Sequence, residues 1–128
     1  DRILNHSSHR YSIEPSLMFK LVSLSGCGTL HAGMIGGYLE SGDEEVKNII
    51  SILNSQNSVP ALSCGMHPGL VKHIQEIVGH ADWMANVGGA ITSHPMGTAA
   101  GARAMKQAIT EDYGKEFGVA ATKWGIKM

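Results

Sequence analysis

The residues of this sequence that could do chemistry stand in four short clusters, each directly after a short apolar segment. They occupy positions 6–9, 31–38, 63–67 and 88–90 and are rich in histidine, serine and glycine. Glycine lets a ligand approach the backbone closely, so that free N–H groups can bind an anion such as a phosphate. The same glycines would equally suit tight turns, and the pattern by itself supports both explanations.

Two of these clusters are candidates for one phosphate site. Ser63, Cys64 and Gly65 follow one predicted strand, and Gly88 and Gly89 follow the next strand along the chain. In parallel α/β folds, ligands bind at the carboxyl ends of the strands, where neighbouring loops meet. The two glycine loops could therefore hold a single phosphate between adjacent strands.

The histidines and the cysteine are weaker candidates. His31 ends a predicted strand and could face the site, whereas His67 and His94 each precede a proline, where a role in the turn is at least as plausible. Cys64 has no identifiable base beside it, which indicates a small buried residue rather than a nucleophile. No pair of His, Cys, Asp or Glu shows the spacing of metal ligands, so the sequence predicts no metal site.

The elements that must position these clusters alternate along the chain. The pattern predicts the order β-α-β-α-β-α-β-α-α, with strands ending near residues 5, 32, 63 and 87. Helices are expected to begin at Pro15, at a capping box over residues 41–44, at Pro68 and after Gly97. The strands are short and apolar throughout, which is typical of parallel strands covered on both faces. The sequence therefore predicts an α/β fold with a parallel sheet and outer helices.

Four of the predicted helices have apolar residues at helical spacing, which is the pattern of a helix with one face turned to a core. In chain order the stripes are Leu17, Leu21 and Leu24; Val46, Ile49, Ile50 and Leu53; Leu70, Val71, Ile74, Ile77 and Val78; and Tyr113, Phe117 and Trp124.

The composition argues against a nucleic-acid-binding protein and against a membrane-spanning one. The 128 residues suffice for one domain with a core, and the chain is 43% hydrophobic and 16% charged with a net charge of −1. There is no basic patch for nucleic acid and no apolar run long enough for a membrane span. The two cysteines, Cys27 and Cys64, form no disulfide framework, so we expect free thiols and a cytoplasmic location.

Three segments resemble the large subunit of ribulose bisphosphate carboxylase (RuBisCO). Residues 24–40, LSGCGTLHAGMIGGYLE, are similar to the family's strand 6 and loop 6. Residues 62–70, LSCGMHPGL, resemble its strand-7 segment, particularly in the archaeal form. Residues 86–97, NVGGAITSHPMG, with residues 100–102, resemble strand 8 and the helix that follows it. The three motifs occur in the family's order and spacing and cover nearly all of this chain.

The resemblance implies the C-terminal part, about units five to eight, of a (β/α)8 TIM barrel. Residues 1–110 would form these units, and residues 111–128 would form a C-terminal helical tail. It also implies that His31 and Ser63 contact a sugar bisphosphate, and that the loop with Cys64 and Gly65 binds a phosphate together with Gly88 and Gly89.

The sequence departs from the family pattern in two places. Tyr38 stands where carboxylases have the loop-6 lysine, and a neutral phenol cannot supply that lysine's positive charge, which argues against carboxylation. His6 matches the strand-5 histidine, but Ser7 then replaces the phosphate-binding arginine. The alternative register, in which His9 and Arg10 are the match, keeps the arginine.

The resemblance also predicts cofactor and partners. The family's Mg²⁺ is held by a carbamylated lysine and carboxylates upstream of this chain, so no metal is expected in this fragment. We expect carboxylase-type enediolate chemistry on a phosphorylated sugar, with this chain supplying the phosphate-binding loops. The alternatives are a RuBisCO-like enolase or isomerase without carboxylase activity, and an inactive half-barrel fragment. Pairing into a homodimer would cover exposed strand edges of such a half-barrel.

Overall fold

The computed structural model of this protein describes residues 11, 13–36, 42–79 and 82–127. Helices and strands alternate along most of these residues, as predicted. In chain order they are α1 (Pro15–Leu24), β1 (Thr29–Gly33), α2 (Asp43–Ser55), β2 (Val59–Leu62), a 3₁₀ helix (Pro68–Leu70), α3 (Val71–Val78), β3 (Met84–Ala85), α4 (Gly89–Thr92), α5 (Thr98–Ile109) and α6 (Lys115–Trp124).

The strands form one parallel sheet with β2 in the middle. His31 of β1 pairs with Ala61 of β2, and Ala61 pairs with Met84 of β3. An irregularity in register lies between His31 and Gly33. The α/β class and the parallel sheet with helices are therefore confirmed, and the carboxyl ends of all three strands lie along one edge of the sheet.

The core lies where α2 and α3 cover the sheet. The stripe of α2 is buried as its spacing predicts, and Val46 and Leu53 have no exposed surface. The α3 stripe is buried at Val71 and Ile74 but only half-buried further along. Other fully buried large side chains in this core are Met34, Ile35, Leu62 and Leu70.

Helix α1 forms over the predicted residues, but its leucines do not reach this core. Leu17, Leu21 and Leu24 are 50%, 59% and 60% exposed, whereas Ser23 is buried. Phe19 is the α1 side chain that packs against the core. The periodicity of the leucines correctly indicates a helix, but it does not identify the face that meets the rest of the protein.

Three local details differ from the sequence prediction. Helix α2 begins at Asp43 with Gly42 as its N-cap and without a side-chain cap, so the capping box over residues 41–44 is wrong. Asp43 instead accepts a hydrogen bond from the N–H of Gly36 at 2.8 Å, which ties the helix start to the loop after β1. Strand β3 is shorter than predicted, and the short helix α4 was not predicted.

A polar network joins α5 to α6. Glu116 accepts hydrogen bonds from Gln107 and Arg103, both at 2.9 Å, and Gln107 also accepts one from the N–H of Phe117 at 2.8 Å. The bond from Gln107, followed by that from Arg103, lowers the pKa of Glu116 to about 2. Helix α6 is thereby fixed against α5, and its Phe117 is buried.

The segment after α6 packs back on the sheet's loops. Lys127 donates its backbone N–H to the carbonyl of Gly69 at 3.1 Å, and its Nζ to the carbonyl of Gly36 at 3.1 Å. A Cβ on Gly69 would lie 2.0 Å from the carbonyl oxygen of Gly125, so only glycine permits this approach. Among the described helices, none is long and apolar enough to cross a membrane.

Candidate functional site

The parallel sheet brings three polar residues to one edge. His31 lies in β1, two residues before its end, Ser63 follows β2, and Asn86 follows β3. The N–H of Ser63 donates to the carbonyl of Gly33 at 3.1 Å, and the N–H of Asn86 donates to that of Leu62 at 2.9 Å. These backbone bonds extend the strand pairing past the last strand residues, so that the positions of the three side chains are fixed relative to one another.

The side chains at this edge form one hydrogen-bonded row. His31 Nδ1 lies 3.0 Å from Ser63 Oγ, and His31 Nε2 lies 3.4 Å from Asn86 Nδ2. Ser63 Oγ lies 3.8 Å from Cys64 Sγ, within the longer range of a bond to sulfur. Sequence reasoning identified His31, Ser63 and Cys64 but missed Asn86. The available signal was its position at the end of the fourth predicted strand, two residues before Gly88.

A cavity of about 670 Å³ adjoins this row. It contains four of the predicted site residues, while His31 and Ser63 stand beside it rather than among its lining residues. The lining is formed by Gly36, Cys64, Gly65, Met66, His67, Leu70, Asn86, Gly88, Gly89, Ala90, Ser93 and Trp124. The loops after β2 and β3 therefore meet at one cavity, as the sequence predicts. The binding of a phosphate there stays a prediction.

The glycines of these two loops leave their backbone open. A Cβ built on Gly88 or Gly89 would meet no atom within 4 Å, and neither residue has the positive φ that favours glycine. Gly65 does have one, at +104°. Within residues 11, 13–36, 42–79 and 82–127, no group accepts a hydrogen bond from the N–H of Gly65, Gly88 or Gly89.

Cys64 corrects a sequence prediction, because it is exposed rather than buried. Its φ of +74° places it in the left-handed region, which a residue with a Cβ seldom adopts. With Gly65 following at φ +104°, the loop needs two successive positive φ angles to leave β2. This turn directs the Cys64 side chain outward to the cavity instead of into the core.

The cavity is also lined by His67, a histidine with one unpartnered ring nitrogen among the described residues. The ring of His67 stacks on Trp124 at 6.3 Å between centroids, and its Nδ1 is buried without a partner within the described part of the chain. Burial, and then the charge of Lys127, lower the pKa of His67, so that it is neutral near pH 7. It therefore offers the cavity a neutral ring.

His94, by contrast, has a structural role. It is buried, its Nε2 lies 3.0 Å from the carbonyl oxygen of Glu116, and its Nδ1 accepts a bond from the N–H of Met96 at 3.1 Å. Both ring nitrogens are thus used to hold the loop before α5 against α6. This agrees with the role in a turn that its place before a proline suggested.

The described lining of the cavity does not have the donor set of a magnesium site. Mg²⁺ is bound by carboxylate and other oxygen ligands, and no Asp or Glu is among the described residues that line this cavity. Over the described stretches of the chain, no group of three His, Cys, Asp or Glu residues could hold a metal ion. The residues present therefore do not fit the Mg²⁺ that the family resemblance implies, and no chemistry at this site is derived from that ion.

Two predicted features cannot be placed. His6, together with the alternative match at His9 and Arg10, belongs to residues 1–10, which lie outside the described residues. Tyr38 also lies outside them. The strand predicted over residues 2–5 has the same status.

Comparison with known proteins gives the same family as the motifs. The sequence model described as "Ribulose bisphosphate carboxylase large chain, catalytic domain" matches residues 51–118. These residues carry both glycine loops, from Ser63 to Gly65 and at Gly88 and Gly89.

Individual relatives extend the match over most of the chain. The ribulose bisphosphate carboxylase of Methanocaldococcus jannaschii is 34% identical over an alignment of 121 positions that covers 80% of this chain and 28% of that protein. A solved rubisco-like protein from Alicyclobacillus acidocaldarius has a TM-score of 0.83 and 26% identity, covering 97% of this chain and 35% of that one. A solved archaeal Rubisco has a TM-score of 0.81 and 28% identity, covering 99% of this chain and 36% of that one.

This chain spans roughly a third of the length of each of these proteins. Both a carboxylase and a rubisco-like protein are among them, so the likeness extends across the two groups. From the match over residues 51–118 and the identity to the archaeal enzyme, the chain belongs to the ribulose bisphosphate carboxylase large-chain family.

Proposed function

We propose that this chain supplies the phosphate-binding loops of a RuBisCO-family enzyme that acts on a phosphorylated sugar. The observation that carries the proposal is that the N–H groups of Gly65, Gly88 and Gly89, which line one cavity, have no acceptor among the described residues. Backbone N–H groups without a protein partner are suited to the oxygens of an anion.

The charges around the cavity favour an anion as well. No carboxylate is among its described lining residues, and two lysines contact lining residues at its rim. Lys127 Nζ donates to the carbonyl of Gly36, and Lys123 Nζ donates to the carbonyl of Ser93. Both acceptors belong to lining residues, so two positive charges stand at the edge of the cavity. These charges would attract a phosphate, and no acidic residue of the described lining would repel it.

The side-chain row favours a phosphorylated sugar over inorganic phosphate as the natural ligand. Ser63 and His31 stand next to the phosphate loops and can hydrogen-bond to hydroxyl or carbonyl oxygens of the same ligand. The proposed parent reaction is proton abstraction beside a carbonyl to give an enediolate. The part proposed for this chain is to bind and orient the substrate, because it carries no identified base or metal ligands among its described residues.

A RuBisCO-like enolase or isomerase is the second candidate. The feature that favours it is Tyr38, which the resemblance of residues 24–40 aligns with the loop-6 lysine of carboxylases. Incorporation of CO₂ by a protein that contains this chain separates the two candidates, because only a carboxylase would show it. An inactive half-barrel is the third, and it predicts no ligand binding at all.

The larger architecture belongs to the same proposal. We place residues 1–110 in units five to eight of a (β/α)8 barrel and residues 111–128 in a helical tail. Three parallel strands in sequence order, each pair joined through a helix, support this arrangement. The exposed leucines of α1 favour a homo-oligomer in which copies cover this surface. The free thiols of Cys27 and Cys64 fit a cytoplasmic location.

Titration with inorganic phosphate tests the binding site. We expect the backbone amide signals of Gly65, Gly88 and Gly89 to move in a ¹H–¹⁵N spectrum as phosphate is added. Gly88→Ala should weaken binding by about tenfold or more, or roughly 1.4 kcal/mol, because its methyl group occupies the space through which the ligand approaches the backbone. The fold should remain, since a Cβ at this position meets no protein atom.

Gly118→Ala is the matched control. A Cβ on Gly118 also meets no atom within 4 Å, but this residue lies on α6 and does not line the cavity. It should bind phosphate as the unmodified chain does. The phosphate site is disproved if the amide signals of the three glycines do not shift during the titration. It is also disproved if Gly88→Ala and Gly118→Ala bind phosphate equally well.

A further inference from the structure

Asn86 occupies one end of the side-chain row, and the structure places its amide nitrogen toward His31. Asn86 Nδ2 lies 3.4 Å from His31 Nε2, at the long end of the range for a hydrogen bond. The two residues lie 55 positions apart in sequence, His31 in β1 and Asn86 directly after β3. Their contact passes over the end of β2, beside Ser63, so it joins all three strands.

The direction of each bond in the row follows from this contact. An amide nitrogen can only donate, so His31 Nε2 must accept its hydrogen. A neutral imidazole carries one proton, which must then sit on Nδ1. Nδ1 therefore donates to Ser63 Oγ across 3.0 Å. Because the oxygen of Ser63 already accepts this bond, its own hydrogen is free to point elsewhere.

The free hydrogen of Ser63 has two available directions. Cys64 Sγ, at 3.8 Å, is a weak acceptor beside the cavity. An oxygen of a bound ligand is a stronger acceptor and would take its place. With the opposite tautomer of His31, Ser63 would donate to the ring and would present only lone pairs to a ligand. The tautomer thus decides whether Ser63 meets the ligand as a donor or as an acceptor.

We infer that Asn86 is a positioning residue that holds His31 in the Nδ1–H tautomer, so that Ser63 donates a hydrogen bond to an oxygen of the bound ligand. The ligand part rests on the proposed function, whereas the tautomer is a property of the free chain. The recognised group is an oxygen without a hydrogen to give, such as a carbonyl, an enediolate or a phosphate oxygen.

Two observations separate this role from a purely structural one. The backbone N–H of Asn86 already pairs with Leu62, so β3 does not depend on the side chain for its register. Within the described residues, His31 is the partner of the Asn86 side chain, and Asn86 also lines the cavity. Packing alone would not require the Asn86 amide nitrogen to contact a ring nitrogen of His31.

Nitrogen NMR of the histidine ring measures the tautomer directly. In a long-range ¹H–¹⁵N spectrum of the labelled chain, recorded at about pH 8.5 where an ordinary histidine is neutral, we expect His31 to carry its proton on Nδ1. A His31→Gln sample identifies the signal among the seven histidines. In Asn86→Asp the carboxylate can only accept, so His31 should move to the Nε2–H tautomer. Asn86→Leu, which neither donates nor accepts, should lose the preference for Nδ1–H.

The outcomes are distinguishable from those of the phosphate titration. An Nε2–H tautomer in the unmodified chain overturns the inference, because the Asn86 amide would then be turned with its oxygen to the ring. An unchanged tautomer in both Asn86 variants overturns it as well. If His31 is in the Nδ1–H tautomer but inorganic phosphate shifts none of the glycine amide signals, the inference on Asn86 stands and the proposed function fails. Where one variant does not fold, the other variant and the unmodified chain still test the inference, because an Nε2–H tautomer in the unmodified chain overturns it.

Discussion

Helices α1 and α2 carry similar apolar patterns but have different surroundings. Each has leucine or isoleucine residues at helical spacing, and the sequence predicts both helices. In α2 the stripe is buried, with Leu53 fully enclosed. In α1, Leu17, Leu21 and Leu24 are each at least half exposed. The pattern that makes a helix amphipathic is therefore not sufficient to bury its apolar face.

The difference lies in the number of elements that meet each helix. Helix α2 packs against α1, α3 and the strands β1 and β2, whereas α1 packs chiefly against α2. Apolar side chains stabilise a fold in proportion to the surface that they remove from water. The stripe of α2 therefore contributes to the stability of the chain, while that of α1 contributes little unless something else covers it.

The largest effect is expected from Leu53→Ala in α2. Removing a fully buried leucine loses its burial and leaves a cavity, so the free energy of unfolding should fall by about 2–5 kcal/mol. Chemical denaturation followed by circular dichroism measures this loss. A fall below about 1 kcal/mol would show that the core around α2 is loose, and the contrast with α1 would disappear.

Intermediate changes in stability are expected from alanine substitutions at two helical glycines, one in a crowded position and one in an open position. A Cβ on Gly101 of α5 would lie 2.4 Å from the carbonyl oxygen of Ile91 in α4, whereas one on Gly118 of α6 would meet nothing. Gly101→Ala should destabilise the chain by about 1–3 kcal/mol through overpacking. Gly118→Ala should stabilise it by about 0.5–1 kcal/mol, since alanine favours a helix. Thermal unfolding of both variants measures the difference, and equal effects would contradict the close approach of α4 and α5.

The smallest effect on unfolding is expected from Leu21→Ala in α1. In dilute solution the change should stay within about 0.5 kcal/mol, because the side chain is already exposed. At high concentration the proposed homo-oligomer would bury this face. Light scattering should then show association of the unmodified chain and its loss in Leu21→Glu. If the unmodified chain stays monomeric at all concentrations, self-association through α1 is refuted.

The sequence by itself determined the order of the elements and the places where ligands could bind. Short apolar segments, prolines at helix starts and glycines after strands are local signals, and they predicted most helices and strands described here. They also placed Ser63, Gly65, Gly88 and Gly89 at strand ends. The sequence motifs also predicted the ribulose bisphosphate carboxylase family, which the comparison with the M. jannaschii enzyme confirms.

Only the tertiary structure decided which of these residues meet and which way they face. The contact of Asn86 with His31 depends on the register of three strands, which no local pattern specifies. The exposure of Cys64 follows from a turn with two successive positive φ angles, and a composition argument cannot detect that turn. The same holds for the leucines of α1. Periodicity is a property of a segment, whereas burial and hydrogen bonding depend on partners that come from elsewhere in the chain.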